Sequence, residues 1–315
     1  MRKILVTGGA GFIGSGLAEK LAQDPDNYVV IVDNLLTGYT RKLPRSSHNN
    51  IRFIKCDVND FDDISSVFYA YTFDYVFHYA AVVGVKRTLS HPVMVLNDIT
   101  GIKNILNLSK NTGVRRVFYS SSSEVYGEPV EFPQNEHTTP LNSRLPYAIV
   151  KNVGEAYLRS YQREYGLDFT IFRFFNTYGP KQSKDFVISK FIYLALQNQK
   201  INIYGDGSQT RTFCFIDDNV EACTNAFYDD MFVNDVVNIG GGTEMTILNL
   251  AKTIIKLTGS KSEIVHVPPL KEGDMSRRQP DVSKMRQLLQ REPTPFEVGL
   301  KKVIQNGQFI SLIEA

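Results

Sequence analysis

A short apolar run, Lys3-Ile4-Leu5-Val6-Thr7, ends directly in glycine and then passes into an amphipathic stretch. The run is brief and rich in β-branched residues, as a parallel strand buried on both faces should be. Gly8, Gly11 and Gly14 follow it in the spacing G-x-x-G-x-x-G. A strand that turns at once into a helix needs backbone angles and close approaches that a Cβ would obstruct. The unpaired N–H groups at the start of such a helix can face a pyrophosphate. A glycine-rich turn without a ligand has the same composition. The position of this one, between a strand and a helix, gives the pattern its weight.

The same rhythm runs through the first half of the chain. Residues 28–32, 51–55, 74–78, 114–120 and 168–174 read as further strands, and residues 12–23, 62–69, 92–111 and 146–165 as helices. Alternation of this kind implies right-handed crossovers and a doubly wound parallel sheet. After Asn176 the pattern changes. Short strands at 201–204, 212–216, 236–239 and 263–267 mix with helices at 187–198, 217–229, 246–258 and 282–290. We therefore expect a first domain over residues 1–176. A smaller mixed α/β lobe over 177–315 should follow, with some of its elements returning to the first domain. That lobe should close over the carboxyl ends of the first sheet, where open α/β sheets bind ligands.

Composition excludes several classes. At 315 residues, 43% hydrophobic and 22% charged, the chain is neither disordered nor fibrous. A formal charge of +2 gives no support to a nucleic-acid partner. No stretch approaches the ~20 apolar residues that cross a membrane, and the N-terminus lacks a secretory signal. The three cysteines, Cys56, Cys214 and Cys223, have no metal-type spacing, and the five histidines are scattered. A reduced, cytoplasmic protein without a metal site is the expectation.

Asp33 closes the second strand, where a carboxylate can accept both hydroxyls of an adenosine ribose. It would repel a 2′-phosphate, so NAD is favoured over NADP. Asp57-Val58 ends the third strand and could flank an adenine. Tyr147-Ala148-Ile149-Val150-Lys151 sets a phenol and an ammonium on one helix face. A neighbouring cation favours phenolate, so Tyr147 could act as a base near neutrality. The strand-like run Val117–Ser120 flows into Ser121-Ser122-Ser123-Glu124, placing hydroxyls at the end of a sheet strand, where one could hold a substrate oxygen beside the phenol.

With these elements together, the sequence resembles the extended short-chain dehydrogenase/reductases, specifically the nucleotide-sugar epimerase/dehydratase family. The matching segments are TGGAGFIG at 7–14, Asp33, HYAA at 78–81, SSSSEVYG at 120–127, YAIVK at 147–151, FRFFNTYGP at 172–180, GDGSQTRTF at 205–213 and RRQPDVSK at 277–284. The resemblance implies a Rossmann-type fold and an NAD cofactor. It places Gly8, Gly11, Phe12, Ile13, Gly14, Asp33, Asn34, Asp57, Val58, Ala80, Ala81, Ser120, Tyr147, Lys151 and Phe174 at that cofactor. Ser122 falls at the catalytic serine or threonine, Tyr147 is the base, and Lys151 is its ribose-binding partner. Asn176 and Arg211 resemble the residues that hold the substrate diphosphate, a good use of a guanidinium. Tyr204 occupies the place of an aromatic that stacks on the nucleotide base. Val187, Lys190, Asp274 and Arg278 complete the implied substrate contacts, with Arg277 an equal alternative to Arg278. A UDP-sugar substrate and a homodimer, formed through helices 92–111 and 146–165, are implied as well. One departure stands out: Asp98 occupies a place where the family often has asparagine, which can donate as well as accept. Asn97 is its possible substitute.

The implied first step is oxidation at sugar C4, with Tyr147 taking the O4 proton and Ser122 holding that oxygen. Re-reduction from the opposite face would make the protein a 4-epimerase, an isomerase of carbohydrate metabolism that needs no further acid or base. Loss of a C5 carboxylate would make it a decarboxylase, and loss of water a dehydratase. Glu124 bears on this choice. Ser122-Ser123-Glu124 resembles the Thr-Ser-Glu of UDP-glucuronate decarboxylases, whereas common 4,6-dehydratases carry Asp-Glu where this chain has Ser123-Glu124. Against decarboxylation, Val82–Lys86 lacks that group's small, proline-containing loop, although Lys86 or Arg87 could meet a carboxylate. Glu124 also has a purely structural reading, and a non-catalytic nucleotide-binding protein is the remote alternative.

Overall fold

The computed structural model describes residues 1–44, 49–128, 130–269, 277–306 and 309, the side chains of Val85 and Lys86 excepted. The strands, in chain order, are β1 (Arg2–Thr7), β2 (Asn27–Asp33), β3 (Ile51–Lys55), β4 (Tyr75–His78), β5 (Arg116–Ser122), β6 (Asp168–Phe174), β7 (Thr177–Tyr178), β8 (Ile201–Tyr204), β9 (Thr210–Thr212), β10 (Cys214–Phe215), β11 (Asp235–Ile239), β12 (Glu244–Thr246) and β13 (Ile264–Val267). The helices are α1 (Phe12–Ala22), α2 (Phe61–Tyr71), α3 (Val85–Ser90), α4 (Pro92–Leu96), α5 (Asp98–Thr112), α6 (Pro146–Tyr165), α7 (Val187–Leu196), α8 (Ile216–Tyr228), α9 (Ile247–Thr258), α10 (Ser283–Leu289) and α11 (Phe296–Ile304).

Seven strands form one parallel, Rossmann-type sheet in the order β11-β6-β5-β4-β1-β2-β3. The reversal of strand order on either side of β1 is the doubly wound pattern. Its register matters for function. Thr7 pairs with His78, His78 with Tyr119, and Ser122 with Phe174. The carboxyl ends of β1, β4 and β5 therefore lie side by side, and the glycine loop, the His78 loop and the serine run leave the sheet at one edge.

Two compact units divide the chain. The first comprises Met1–Val125, Ser143–Phe174 and Val220–Val237. One face of its sheet packs Leu5, Val30, Val76, Val117 and Ile171 against Phe68 of α2, Ile105 of α5 and Val150 of α6. In the same unit, Phe77 stacks on Phe118 at 4.3 Å, and Phe227 meets both rings edge-on. Helix α6 begins with Pro146 in its first turn and stops at Gly166, whose φ of +71° few other residues accept. The second unit comprises Tyr126–Asn142, Phe175–Asn219 and Asn238–Ala315. It holds three two-stranded pairs: β7 with β10 and β8 with β13, both parallel, and β9 with β12, antiparallel.

Two local expectations are revised. The single helix expected over 92–111 is interrupted at Asn97, whose carbonyl takes the Thr100 amide at 3.0 Å in a tighter turn. The strand expected over 212–216 is split at Phe213, so that β9 and β10 pair with different partners. A Cβ on Gly241 would lie 2.1 Å from the Phe213 carbonyl oxygen, so that glycine backbone packs directly against the break. The strand expected over 236–239 forms as β11 and is an element that returns to the central sheet, as its edge.

Candidate active site

The glycine loop closes on itself. Gly8 has φ +68° and donates to the Val32 carbonyl at 2.8 Å, and its own carbonyl accepts the Gly11 amide at 3.0 Å. A Cβ at Gly8 would lie 2.7 Å from the Ala80 nitrogen, and one at Gly14 would lie 2.4 Å from the Gly8 oxygen. Both obstacles are backbone and cannot swing aside. Phe12, Ile13 and Gly14 then begin α1, which has no side-chain cap and no acidic residue in its first turn. Its leading amides and positive dipole end are thereby left for an anion.

The neighbouring acids are already oriented. Asp33 accepts the Ala10 amide at 3.0 Å and the Leu35 amide at 2.8 Å. Burial pushes its carboxyl up, while those two bonds and Lys42 act against the shift. A Cβ on Gly38 would sit 2.7 Å from both carboxylate oxygens. Asn34 donates to Asp57 at 3.0 Å, and Val58 is buried beside them. A cradle that only glycine permits, a bare helix start and a seated carboxylate fit a dinucleotide with an unphosphorylated ribose.

Thr7 joins this cradle to the next loop. Its hydroxyl accepts the Tyr79 and Ala80 amides, each at 3.1 Å, and lies 2.9 Å from His78 Nδ1. Two acceptances leave the hydroxyl hydrogen for Nδ1, which is then the unprotonated nitrogen. Consistently, burial and then Lys151 push the imidazole down to about 3, so His78 is neutral. Ala81 continues the loop. The sequence reading assigned no role to Thr7 or His78; the HYAA segment was the available signal.

Tyr147 and Lys151 share one face of α6 and meet the end of β5. Lys151 Nζ donates to the Ser120 carbonyl at 2.6 Å and lies 3.4 Å from the Ser120 hydroxyl. It sits 5.1 Å from the Tyr119 ring centroid and 5.7 Å from that of Tyr147. Burial pushes this ammonium down to about 8, and Asp98 acts in the opposite direction. The Ser122 hydroxyl bonds the Tyr147 phenol and also accepts the Glu124 amide at 3.2 Å. Glu124 stands in a short 3-10 turn, Ser123–Tyr126, that follows β5 directly.

The phenol departs from expectation. In the chain by itself Tyr147 is raised above an ordinary tyrosine, chiefly by burial and then by the Glu124 charge, with the Ser122 bond only partly offsetting them. The expected fall toward neutrality therefore needs more positive charge than Lys151 provides here.

Glu155, one turn beyond Lys151 on the same face, is a third residue to which the sequence assigned no role. Its carboxylate accepts the Ser121 hydroxyl at 2.6 Å and two bonds from Arg173 at 2.8 and 2.7 Å. The spacing Tyr147, Lys151, Glu155 was the available signal. Phe174, the last residue of β6, stacks edge-on to Tyr79 at 5.5 Å.

The second unit carries the residues assigned to substrate. The Asn176 side-chain amide donates to the Thr212 carbonyl at 3.0 Å, which brings it beside the strand that carries Arg211. Arg211 Nη1 donates to the Thr210 carbonyl at 2.8 Å, and Arg211 pairs across the ladder with Met245. Tyr204 ends β8 with 39% of its surface exposed, which is not a packed core ring. Val187 and Lys190 lie in the first turn of α7. Arg277 grips Glu244 at 2.6 and 2.9 Å and lies 4.2 Å over the Phe132 ring, whereas Arg278 is buried. Asp274 lies outside the described residues. Among the described residues no helix is long and apolar enough to cross a membrane, and no His/Cys/Asp/Glu group could hold a metal ion.

Residues 4–240 match the NAD dependent epimerase/dehydratase family. The chain is 38% identical to a UDP-N-acetyl-alpha-D-glucosaminuronate decarboxylase of Bacillus cytotoxicus, covering 96% of this chain and 97% of the relative. It is 36% identical to a putative UDP-glucose 4-epimerase of Methanocaldococcus jannaschii, over 96% and 97% of the two chains. Among solved structures, it is similar to a Thermotoga maritima UDP-glucose 4-epimerase with UDP-glucose, at TM-score 0.88 and 35% identity over 96% and 97% of the chains. A Thermus thermophilus UDP-glucose 4-epimerase complex with NAD gives TM-score 0.87 at 27% identity, over 96% and 97% of the chains.

Proposed function

Because the chain belongs to the NAD-dependent epimerase/dehydratase family and is an enzyme of that family, we propose that it is a nucleotide-sugar 4-epimerase acting on a UDP-sugar with NAD as cofactor. The observation that carries this reading is the seating of Ser122, Tyr147 and Lys151 at the carboxyl end of β5, beside the glycine cradle of the same sheet. The glycine loop, the start of α1 and Asp33 would hold NAD, which when bound supplies hydride exchange at the sugar carbon. Ser122 holds the sugar O4, and Tyr147 takes its proton. Lys151 binds ribose hydroxyls and adds positive charge beside the phenol. Rotation of the 4-keto sugar and return of the proton from Tyr147 complete an inversion without another acid or base.

Asn176 and Arg211 are assigned to the diphosphate and Tyr204 to the base, supported by the bond from the Asn176 side chain to Thr212 on β9, the strand that carries Arg211, and by the exposure of the Tyr204 ring at the end of β8. A homodimer is part of the same reading. Val93 is 71% exposed, and Leu89, Leu96 and Ile149 are exposed apolar residues on α3, α4 and α6.

A second reading, decarboxylation of a UDP-uronic acid, is favoured by one observation. Glu124 is close enough to Tyr147 to raise it, so a second proton-carrying group stands beside the base. This reading also needs a cation for the C5 carboxylate. Arg87 spends a 2.6 Å bond on the Val83 carbonyl, and the Lys86 side chain lies outside the described residues. Incubation with UDP-, dTDP-, GDP- and CDP-sugars, with products read by NMR and mass spectrometry, tests the proposal. An inverted C4 at unchanged mass supports epimerisation. Loss of CO2 or water from a uronic or hexose substrate overturns it.

A further inference from the structure

Lys151 rests on a ring that the proposed reaction does not use. Its Nζ lies over the face of Tyr119, 5.1 Å from the ring centroid, while it donates to the carbonyl of the next residue, Ser120, at 2.6 Å. Tyr119 stands on β5 and is buried. Burial keeps its phenol protonated, so the ring carries no charge. Nothing among the described residues hydrogen-bonds its hydroxyl.

The ring is fixed from two further sides. Its register partner on β4, His78, lies 5.9 Å away at an inclination of 25°, and Thr7 in turn bonds His78 at 2.9 Å. Gly154 of α6 stands at the hydroxyl end. A Cβ there would run into the Tyr119 hydroxyl oxygen and the ring carbon that bears it. Glycine is a poor helix former, so one in the interior of α6 needs a packing reason, and the Tyr119 ring supplies it. Lys151 and Gly154 stand at i and i+3 and so share a helix face. Helix α6 therefore lies along the ring, with the ammonium over its face and the glycine against its hydroxyl end.

The alternatives to a ring at this place explain its use. A lysine ammonium has three N–H donors, and the Ser120 carbonyl takes one of them. An aromatic face attracts the cation through its quadrupole without needing an oxygen acceptor. The remaining donors stay available to ribose hydroxyls. A carboxylate in the ring's place would hold the cation more firmly, but its charge would oppose phenolate at Tyr147, whose own ring centroid is 5.7 Å from the ammonium. We infer that Tyr119 is a positioning residue whose ring face, at the depth that Gly154 allows, holds the Lys151 ammonium beside Tyr147. The inference rests on the proposed role of the Tyr147–Lys151 pair.

The test uses the full chain with Tyr119→Phe, Tyr119→Leu and Gly154→Ala. Lysine ε-methylenes are labelled with 13C, and the Lys151 signal is assigned with Lys151→Arg. Protons held over an aromatic face resonate upfield, so the Lys151 signal should lie upfield of other lysines in the parent and in Tyr119→Phe. It should move downfield in Tyr119→Leu, and also in Gly154→Ala, where the added methyl lifts α6 off the ring. In Tyr119→Leu kcat should fall about tenfold or more with KM within about twofold, and Tyr119→Phe should restore kcat to within about threefold of the parent. A role confined to filling the core predicts a lower melting temperature in Tyr119→Leu with the Lys151 signal and kcat unmoved, and that result overturns the inference. Equal losses of kcat in the Phe and Leu variants overturn it too, because they assign the role to the hydroxyl. Should Tyr119→Leu fail to fold, Gly154→Ala decides: a downfield Lys151 signal with reduced kcat supports the inference, and an unmoved signal overturns it. The signal is read without substrate, so a chain without epimerase activity would sink the proposed function and still show whether Lys151 lies on the Tyr119 ring.

Discussion

The Glu155 carboxylate, with no solvent exposure, receives two hydrogen bonds from the Arg173 guanidinium, itself 1% exposed, at 2.8 and 2.7 Å. The pair ties α6 to β6, and the Ser121 bond ties the same carboxylate to β5. Glu155 lies one and two turns beyond Lys151 and Tyr147, so this clamp sets the rotation of the helix face that meets the serine run. Removing one partner leaves an uncompensated buried charge. Glu155→Ala should therefore cost about 3–5 kcal/mol of folding stability, whereas a paired apolar replacement of both residues should cost much less. Urea unfolding of the three proteins checks this, and a loss under about 1 kcal/mol for Glu155→Ala would contradict it.

Tyr147→Phe removes the proposed base and leaves the ring in place. The turnover number should fall by about 10²–10⁴-fold, with nucleotide-sugar binding little changed. Retention of more than about a tenth of the activity would refute the assignment of Tyr147.

Much of the fold was legible because its determinants are local. The β-branched run Tyr28–Val32, the glycine spacing at 8–14, and Pro146 and Gly166 around α6 each act within a few residues. Pairing partners were less legible, since they are decided by contacts distant in sequence. Residues 236–239 read correctly as a strand, but which of the elements after residue 176 return to the first domain was not legible; β11 is one, completing the central sheet beside β6. The helices α3 and α11 went unread: Val85–Ser90 is short, and Phe296–Ile304 follows two prolines that signal a turn. At the site, residue types and spacing pointed to Tyr147, Lys151 and a hydroxyl of the serine run, and the family resemblance singled out Ser122 among those hydroxyls. The direction of the phenol was not legible, because it depends on burial and on the 3-10 turn that carries Glu124 toward Tyr147.

Arg211→Ala should act on binding. Its guanidinium is assigned to the substrate diphosphate, where charge-assisted bonds contribute about 1.5–3 kcal/mol each. KM for the nucleotide sugar should rise by at least about tenfold, with kcat changing less. An unchanged KM would remove Arg211 from the diphosphate site.

Asp98 carries a cost in stability. Burial holds its carboxyl above the ordinary value, with the Val82 bond and Lys151 working against that shift. Such a group binds its proton more tightly folded than unfolded. Its contribution is fully present below the unfolded value of about 3.9 and is lost as pH rises through the folded value. Asp98→Asn should thus melt higher than the parent at neutral pH, with the difference shrinking toward about pH 4. A lower melting temperature at neutral pH would show that the charged form is the favoured occupant of this seat.

Glu124→Gln separates the two reaction readings. The Glu124 charge raises the Tyr147 phenol, so removing it makes phenolate easier to form. The acidic limb of kcat/KM should then move to lower pH, because that limb reports ionisation of the base. Under epimerisation the remaining groups suffice, and the maximal rate should stay within a few-fold of the parent. Under decarboxylation with Glu124 as proton carrier, oxidation would proceed and the following step would stall, leaving the cofactor's reduced-form absorbance high during turnover. An acidic limb that does not move would show that the Glu124 charge is not felt at Tyr147 in the working enzyme. A stalled, reduced state with a uronic-acid substrate would transfer the proposed function from isomerase to lyase.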